Sequence, residues 1–152
     1  MAREYFYYGA AELDTDDLRS LLAAAVGGTV GDDGTVVREG LIIWAERETP
    51  GEEASAPRLF GFTHRITVLF RLSNRRPELE EHNTALMIGA VLAILSQTDA
   101  DGVLLFNGEE AILQTIGGEA VFDGDWEGWD VFPEAAALKA GRRVARLPQP
   151  LL

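Results

Sequence analysis

Apolar and polar positions along residues 4–46 predict a strand, a helix and a small meander. The aromatic run EYFYY at residues 4–8 favours a first strand. Apolar residues then recur at helical spacing between residues 13 and 25, behind a capping Asp14 or Thr15. The sequence DDG at residues 32–34 indicates a turn between two short strands, and LIIWAE at residues 41–46 predicts another strand.

The central part of the chain predicts a long strand followed by a buried helix. From Phe60 to Leu72, apolar residues and His64 occupy every second position, which is typical of a half-buried strand. Pro77 suits the first turn of a helix over residues 77–97, and the acids that follow it complement the helix dipole. This helix contains ALMIGAVLAIL, an apolar run about half as long as the roughly 20 residues that a membrane span needs. We therefore expect a core helix.

The last part of the chain predicts antiparallel strands joined by tight turns. Asn107-Gly108 is a strong hairpin signal between residues 103–106 and 110–116, and two glycines precede a further strand at residues 119–122. Residues 48–58 predict a mobile loop, and residues 141–152 an irregular C-terminal tail. The 152 residues together predict a single α+β domain, in which a mostly antiparallel sheet packs against two helices.

Charge limits the classes of partner that this chain can bind. The chain has 13 basic and 25 acidic residues, and the net charge of −12 disfavours nucleic acid and anionic membranes. The segment from Asp99 to Glu134 contains acids and no base, whereas residues 58–98 carry a net charge of +2. We therefore expect a basic partner. Since the chain lacks cysteine and a basic-apolar leader, a cytoplasmic location is the expectation.

Three segments resemble a known family when they are taken in order. LFRLSN at residues 69–74, the apolar helix and VLLFNGEEAIL at residues 103–113 resemble the SitI-type immunity proteins, specifically the third group of that series, from bacterial swarming-inhibition toxin systems. The resemblance covers residues 66–125, and residues 73–76 (SNRR) depart from the family's pattern. It implies a small cytoplasmic protein that binds and blocks a cognate toxin, with no catalysis and no cofactor.

The acidic stretch FDGDWEGWDVFPE at residues 122–134 contains the candidate site. Its acids approach the spacing of a calcium-binding loop, but the preceding residues predict strands where an EF-hand has a helix. We therefore predict no metal site. Aromatic rings among acids suit a basic protein surface, although an acidic loop whose tryptophans pack back on the domain is the simpler interpretation. The candidate partner-binding residues are Asp123, Asp125, Trp126, Glu127, Trp129 and Asp130.

Other chemistry has little support in the sequence. His64 and His82 are the only histidines, and the chain has no cysteine that could complete a zinc site with them. No serine lies in a nucleophile elbow, and Glu109 and Glu110 would face opposite ways on a strand. We therefore predict inhibition of a toxin by binding. A calcium-binding or carboxylate-based enzyme, and an adaptor without a toxin partner, are the alternatives.

Overall fold

The computed structural model describes residues 2–49 and 56–150, and its strands form one nine-stranded sheet. The strands are β1 (Ala2–Gly9), β2 (Thr29–Val30), β3 (Val36–Arg38), β4 (Leu41–Arg47), β5 (Ile66–Ser73), β6 (Gly102–Phe106), β7 (Glu110–Ile116), β8 (Glu119–Asp123) and β9 (Arg143–Ala145). The helices are α1 (Thr15–Val26), α2 (Ala56–Leu59), α3 (Pro77–Thr98), α4 (Gly128–Val131) and α5 (Pro133–Lys139).

The sheet has the strand order β2-β3-β4-β5-β1-β6-β7-β8-β9, so the first strand lies at its centre. All neighbouring strands are antiparallel except β8 and β9, which are parallel because α4 and α5 carry the chain back along the sheet. Tyr5 of β1 lies opposite Phe70 of β5 and Phe106 of β6. The predicted mixed fold with a large antiparallel sheet is confirmed.

One face of the sheet carries the main core. Alternate side chains of β1 and β5, including Tyr5, Tyr7 and Phe70, are fully buried against the helices. Helix α3 packs against both α1 and α5, and its buried Met87 and Val91 join the same cluster. Burial of large apolar side chains at roughly 1.5–3 kcal/mol each is the main stabilising contribution.

The number of helices differs from the prediction, since the described residues contain five helices instead of two. Helices α2 and α4 are four residues long, and α5 is seven residues long. Elements this short show no clear helical period in sequence, and they depend on tertiary packing for stability. Phe132 and Ala135, for example, are buried in the main core.

Three boundaries also differ from the sequence-based expectation. Strand β5 begins at Ile66 instead of Phe60, because Gly61 has a positive φ of 85° and residues 57–62 form a compact turn. The predicted loop 48–58 includes residues 50–55, which lie outside the described residues, and it runs into α2. The tail predicted as irregular contains β9, which pairs with β8.

Candidate functional site

Asp123 connects the acidic segment to the C-terminal strand. This aspartate ends β8 and is only 2% exposed. One carboxylate oxygen accepts a hydrogen bond from the backbone N–H of Asp125 (3.0 Å), and the other accepts one from the backbone N–H of Leu147 (2.9 Å). The carboxylate is therefore used within the fold, where it fixes the start of the acidic segment against the residues that follow β9.

The two tryptophans of the segment face inward. Trp126 and Trp129 are 4% and 7% exposed, and their rings meet edge to face at 4.7 Å between centroids. The indole N–H of Trp129 donates to the backbone carbonyl of Asp123 at 2.7 Å. Gly128 has no room for a side chain, since an added Cβ would lie 2.3 Å from the Trp126 ring. Both indoles thus form a rigid base beneath the segment.

Among the six candidate residues, Asp125, Glu127 and Asp130 have exposed side chains. Asp125 forms an ion pair with Arg146 (3.2 Å), but both side chains are exposed, so this pair contributes little to stability. Within residues 2–49 and 56–150, neither Glu127 nor Asp130 has an ion-pair partner. The structure therefore separates the six candidate residues into three exposed acids and three buried supporting residues.

Asp125, one of the three exposed acids, lines a cleft of about 600 Å³ that sequence reasoning missed. Its lining includes Glu109, Glu110 and Asp123, together with residues 146–149. Gln149 holds this last stretch in place, because its side-chain oxygen accepts from the backbone N–H of Ala111 at 2.7 Å. The pairing of β7 with β8 brings Glu110 to the cleft, and only the strand register could have indicated that arrangement.

The cleft has an excess of negative charge. Partial burial raises the pKa of Glu110, and the neighbouring charges of Asp123 and Glu127 raise it further. The charges of these two neighbouring carboxylates make a further negative charge unfavourable at this position. The same field attracts a positive group that approaches from solvent.

The calcium-loop spacing does not produce a ligand set. Glu134, the twelfth residue of the pattern, points to α3, where its carboxylate lies 2.7 Å from Nδ1 of His82. Asp123, the first residue, already accepts two backbone hydrogen bonds. Across the described part of the chain, no three histidine or acidic side chains are placed to hold a metal ion together.

The fold and this site describe a mixed α/β protein with an acidic surface cleft, and the comparison with protein families gives a more specific assignment. A family model described as SitI3-like matches residues 3–133, which run from β1 to the start of α5. The chain belongs to this SitI-type immunity protein family. No curated protein and no solved structure matches it. None of the helices in the described ranges is both long enough and apolar enough to cross a bilayer.

Proposed function

We propose that this chain neutralises a cognate protein toxin by binding it and covering the surface through which the toxin acts, without catalysis. The match to the SitI3-like family over residues 3–133 carries this proposal. Membership of an immunity family implies a protein toxin as the partner in general. The charge of the cleft adds the chemistry of that partner, because an acidic surface selects a basic one.

The contact is proposed to involve the exposed carboxylates of Asp125, Glu127 and Asp130. Trp126 and Trp129 support these acids from below, so the carboxylates meet the toxin on a preformed surface. Preorganisation lowers the entropy lost on binding, and the negative field accelerates the encounter with a basic partner. Single exposed ion pairs contribute only about 0.2–1 kcal/mol, so this surface should control the association rate more than the final affinity.

Co-expression tests the proposal directly. The product of the neighbouring open reading frame is expressed alone and together with this chain, and cell survival is counted. If the neighbouring product kills cells when it is expressed alone and no longer kills them when this chain is present, neutralisation is supported. A harmless neighbour, or undiminished killing, would contradict it.

A charge reversal locates the contact. Glu127→Lys should slow association with the purified neighbouring product and weaken the dependence of the rate on salt. Asp17→Lys is the matched control, because it changes the net charge equally at an exposed position of α1, which packs near β3 and β4 and lies far from β8 in the sheet order. If the two variants associate equally fast, the carboxylate of Glu127 does not steer the toxin to this surface.

A further inference from the structure

The second face of the sheet is covered over β6 to β8 and bare over β3 to β5. On the covered part, Phe60 and Leu147 bury Val103, Leu105 and Val121 in a second apolar cluster. On the bare part, Val37, Ile42 and Trp44 remain 42%, 38% and 41% exposed. No part of the chain within residues 2–49 or 56–150 packs over these three side chains.

The strand register places these side chains side by side. Val37 lies opposite Ile42, and Ile42 lies opposite Arg71. Val37, Ile42 and Arg71 therefore form one row across β3, β4 and β5. In the next row, Leu69 lies between Trp44 and Phe6. Scattered exposed apolar residues are ordinary on a protein surface, but two adjacent rows form a continuous patch, which is typical of an interaction site.

Two arginines and a cleft lie at one end of the patch. The cleft, of about 550 Å³, is lined by Val37, Ile42, Arg71 and Arg75 together with neighbouring residues. Among the described residues, no carboxylate forms an ion pair with either arginine. The chain has 25 acids, yet Arg71 and Arg75, which line this cleft, are unpaired among the described residues and can each bind a carboxylate of a partner.

We propose that this bare face is a second contact surface for the toxin. The cleft takes an apolar side chain of the toxin, and a neighbouring carboxylate of the toxin pairs with Arg71 and Arg75. The inference rests on the proposed function. It assigns the acidic cleft to steering and the bare face to affinity, since tryptophan and arginine are the residues that most often dominate binding energy at an interface.

Charge favours the toxin over a second copy of this chain as the occupant. Two copies would each bring a net charge of −12, so their mutual repulsion opposes face-to-face packing. A basic protein does not meet this penalty. A carboxylate on its docking face gains the two arginines, while the rest of its surface is attracted to the acidic chain.

Two variants and two matched controls test the inference, with the purified product of the neighbouring open reading frame as the probe. Trp44→Thr and Arg71→Glu should each raise Kd at least tenfold in calorimetry. Threonine is chosen at position 44 because it retains the preference for a strand. Ile116→Thr and Arg143→Glu make similar changes at residues that are also exposed and lie elsewhere on the sheet. These controls should leave Kd within about threefold of the wild-type value.

A second measurement needs no substitution. Incorporation of 5-fluorotryptophan gives three fluorine resonances, because the chain has three tryptophans. Trp44 alone among them is substantially exposed, so its resonance should lose its H₂O/D₂O isotope shift when unlabelled toxin binds. The H₂O/D₂O isotope shifts of the buried Trp126 and Trp129 should be small and should not change on binding. An unchanged isotope shift for Trp44 in the saturated complex would overturn the inference.

The outcomes separate the two proposals. If the wild-type chain fails to bind the neighbouring product, the proposed function fails and the second surface fails with it. If the wild type binds and all four variants bind equally well, only the second surface is refuted. A wild-type dimer in sedimentation that Trp44→Thr dissociates would assign the bare face to self-association, and would also overturn the inference.

Discussion

A methyl group added at Gly102 has no room in this structure. Gly9 and Gly102 lie opposite one another on β1 and β6, and the ring of Tyr7 covers both. A Cβ built at Gly102 would lie 2.2 Å from the Tyr7 Oη and 2.6 Å from its Cζ. The tyrosine is fully buried, so its ring has no open space into which it could move. Gly102→Ala should therefore force the ring or the strand out of place.

The expected cost follows from overpacking of a buried site. Insertion of methylene groups into a packed core typically costs 1–3 kcal/mol, and contacts this short place Gly102→Ala at about 3 kcal/mol. For a chain of this length, that corresponds to a fall in Tm of about 6–12 °C. Gly89→Ala provides the opposite case. It lies within α3, no atom lies within 4 Å of an added Cβ, and alanine should stabilise the helix by about 1 kcal/mol.

Urea denaturation of both variants, with the midpoint as the readout, tests this reasoning. The same chemical change should lower the midpoint at Gly102 and raise it at Gly89. The double variant Gly102→Ala/Tyr7→Phe removes the closest atom and should recover part of the loss. If Gly102→Ala is as stable as the wild type, or if the double variant shows no recovery, the packing of Tyr7 over the glycine pair is wrong.

Three further results are expected. Asp123→Ala should lower the free energy of unfolding in urea denaturation by about 2–3 kcal/mol, since the backbone N–H groups of Asp125 and Leu147 lose their acceptor, whereas Asp125→Ala should cost less than about 1 kcal/mol in the same measurement. Glu110→Gln should stabilise the fold at pH 7 by up to about 0.5 kcal/mol. The raised pKa of Glu110 means that ionisation of this carboxyl costs stability as pH rises above about 4.5. If Glu110→Gln still stabilised the fold at about pH 3, where the carboxyl is neutral, the raised pKa would be contradicted. The pKa of both Tyr5 and Tyr7 is raised to about 12 by burial, so their tyrosinate absorbance should stay absent at about pH 10.5 until the chain unfolds, and stability should fall as pH rises from about 10 to 12.

The elements that could be predicted well from the sequence are those whose signals are local. The sequence predicts helix α3 over residues 77–97, and the helix runs from Pro77 to Thr98. The two agree because its proline, its early glutamates and its apolar length all belong to the segment itself. Asp99 adopts a left-handed conformation (φ 54°) and ends the helix. The turn at Asn107-Gly108 likewise has positive φ at both residues, as a two-residue hairpin requires.

The elements that escaped prediction depend on distant partners. Strand β9 is three residues long and forms only because α4 and α5 return the chain to the edge of β8. The alternation from Phe60 predicts a strand, yet the chain turns at Gly61 and places Phe60 on the opposite side of the sheet from Phe70. A period of two residues cannot distinguish these outcomes, because both leave alternate residues buried.

The candidate site shows the same division. The excess of acids around residues 123–134 is visible in the sequence, and in the structure Glu127 and Asp130 of this stretch are exposed. The burial of Asp123 could not be predicted, because its partner Leu147 lies 24 residues further along the chain. Glu110 joins the cleft only through the register of β7, and no pattern within its own strand indicates that position.

The central claim is that this chain acts by forming a complex with a toxin and not by chemical turnover. The most direct test is a titration of the purified neighbouring product, at a concentration well above Kd, with the purified chain, in which residual toxicity is measured against the molar ratio. The account predicts a linear loss of toxicity that ends at one chain per toxin, with both proteins recovered unmodified. Complete loss of toxicity at a small fraction of that ratio, with an altered toxin recovered, would contradict it.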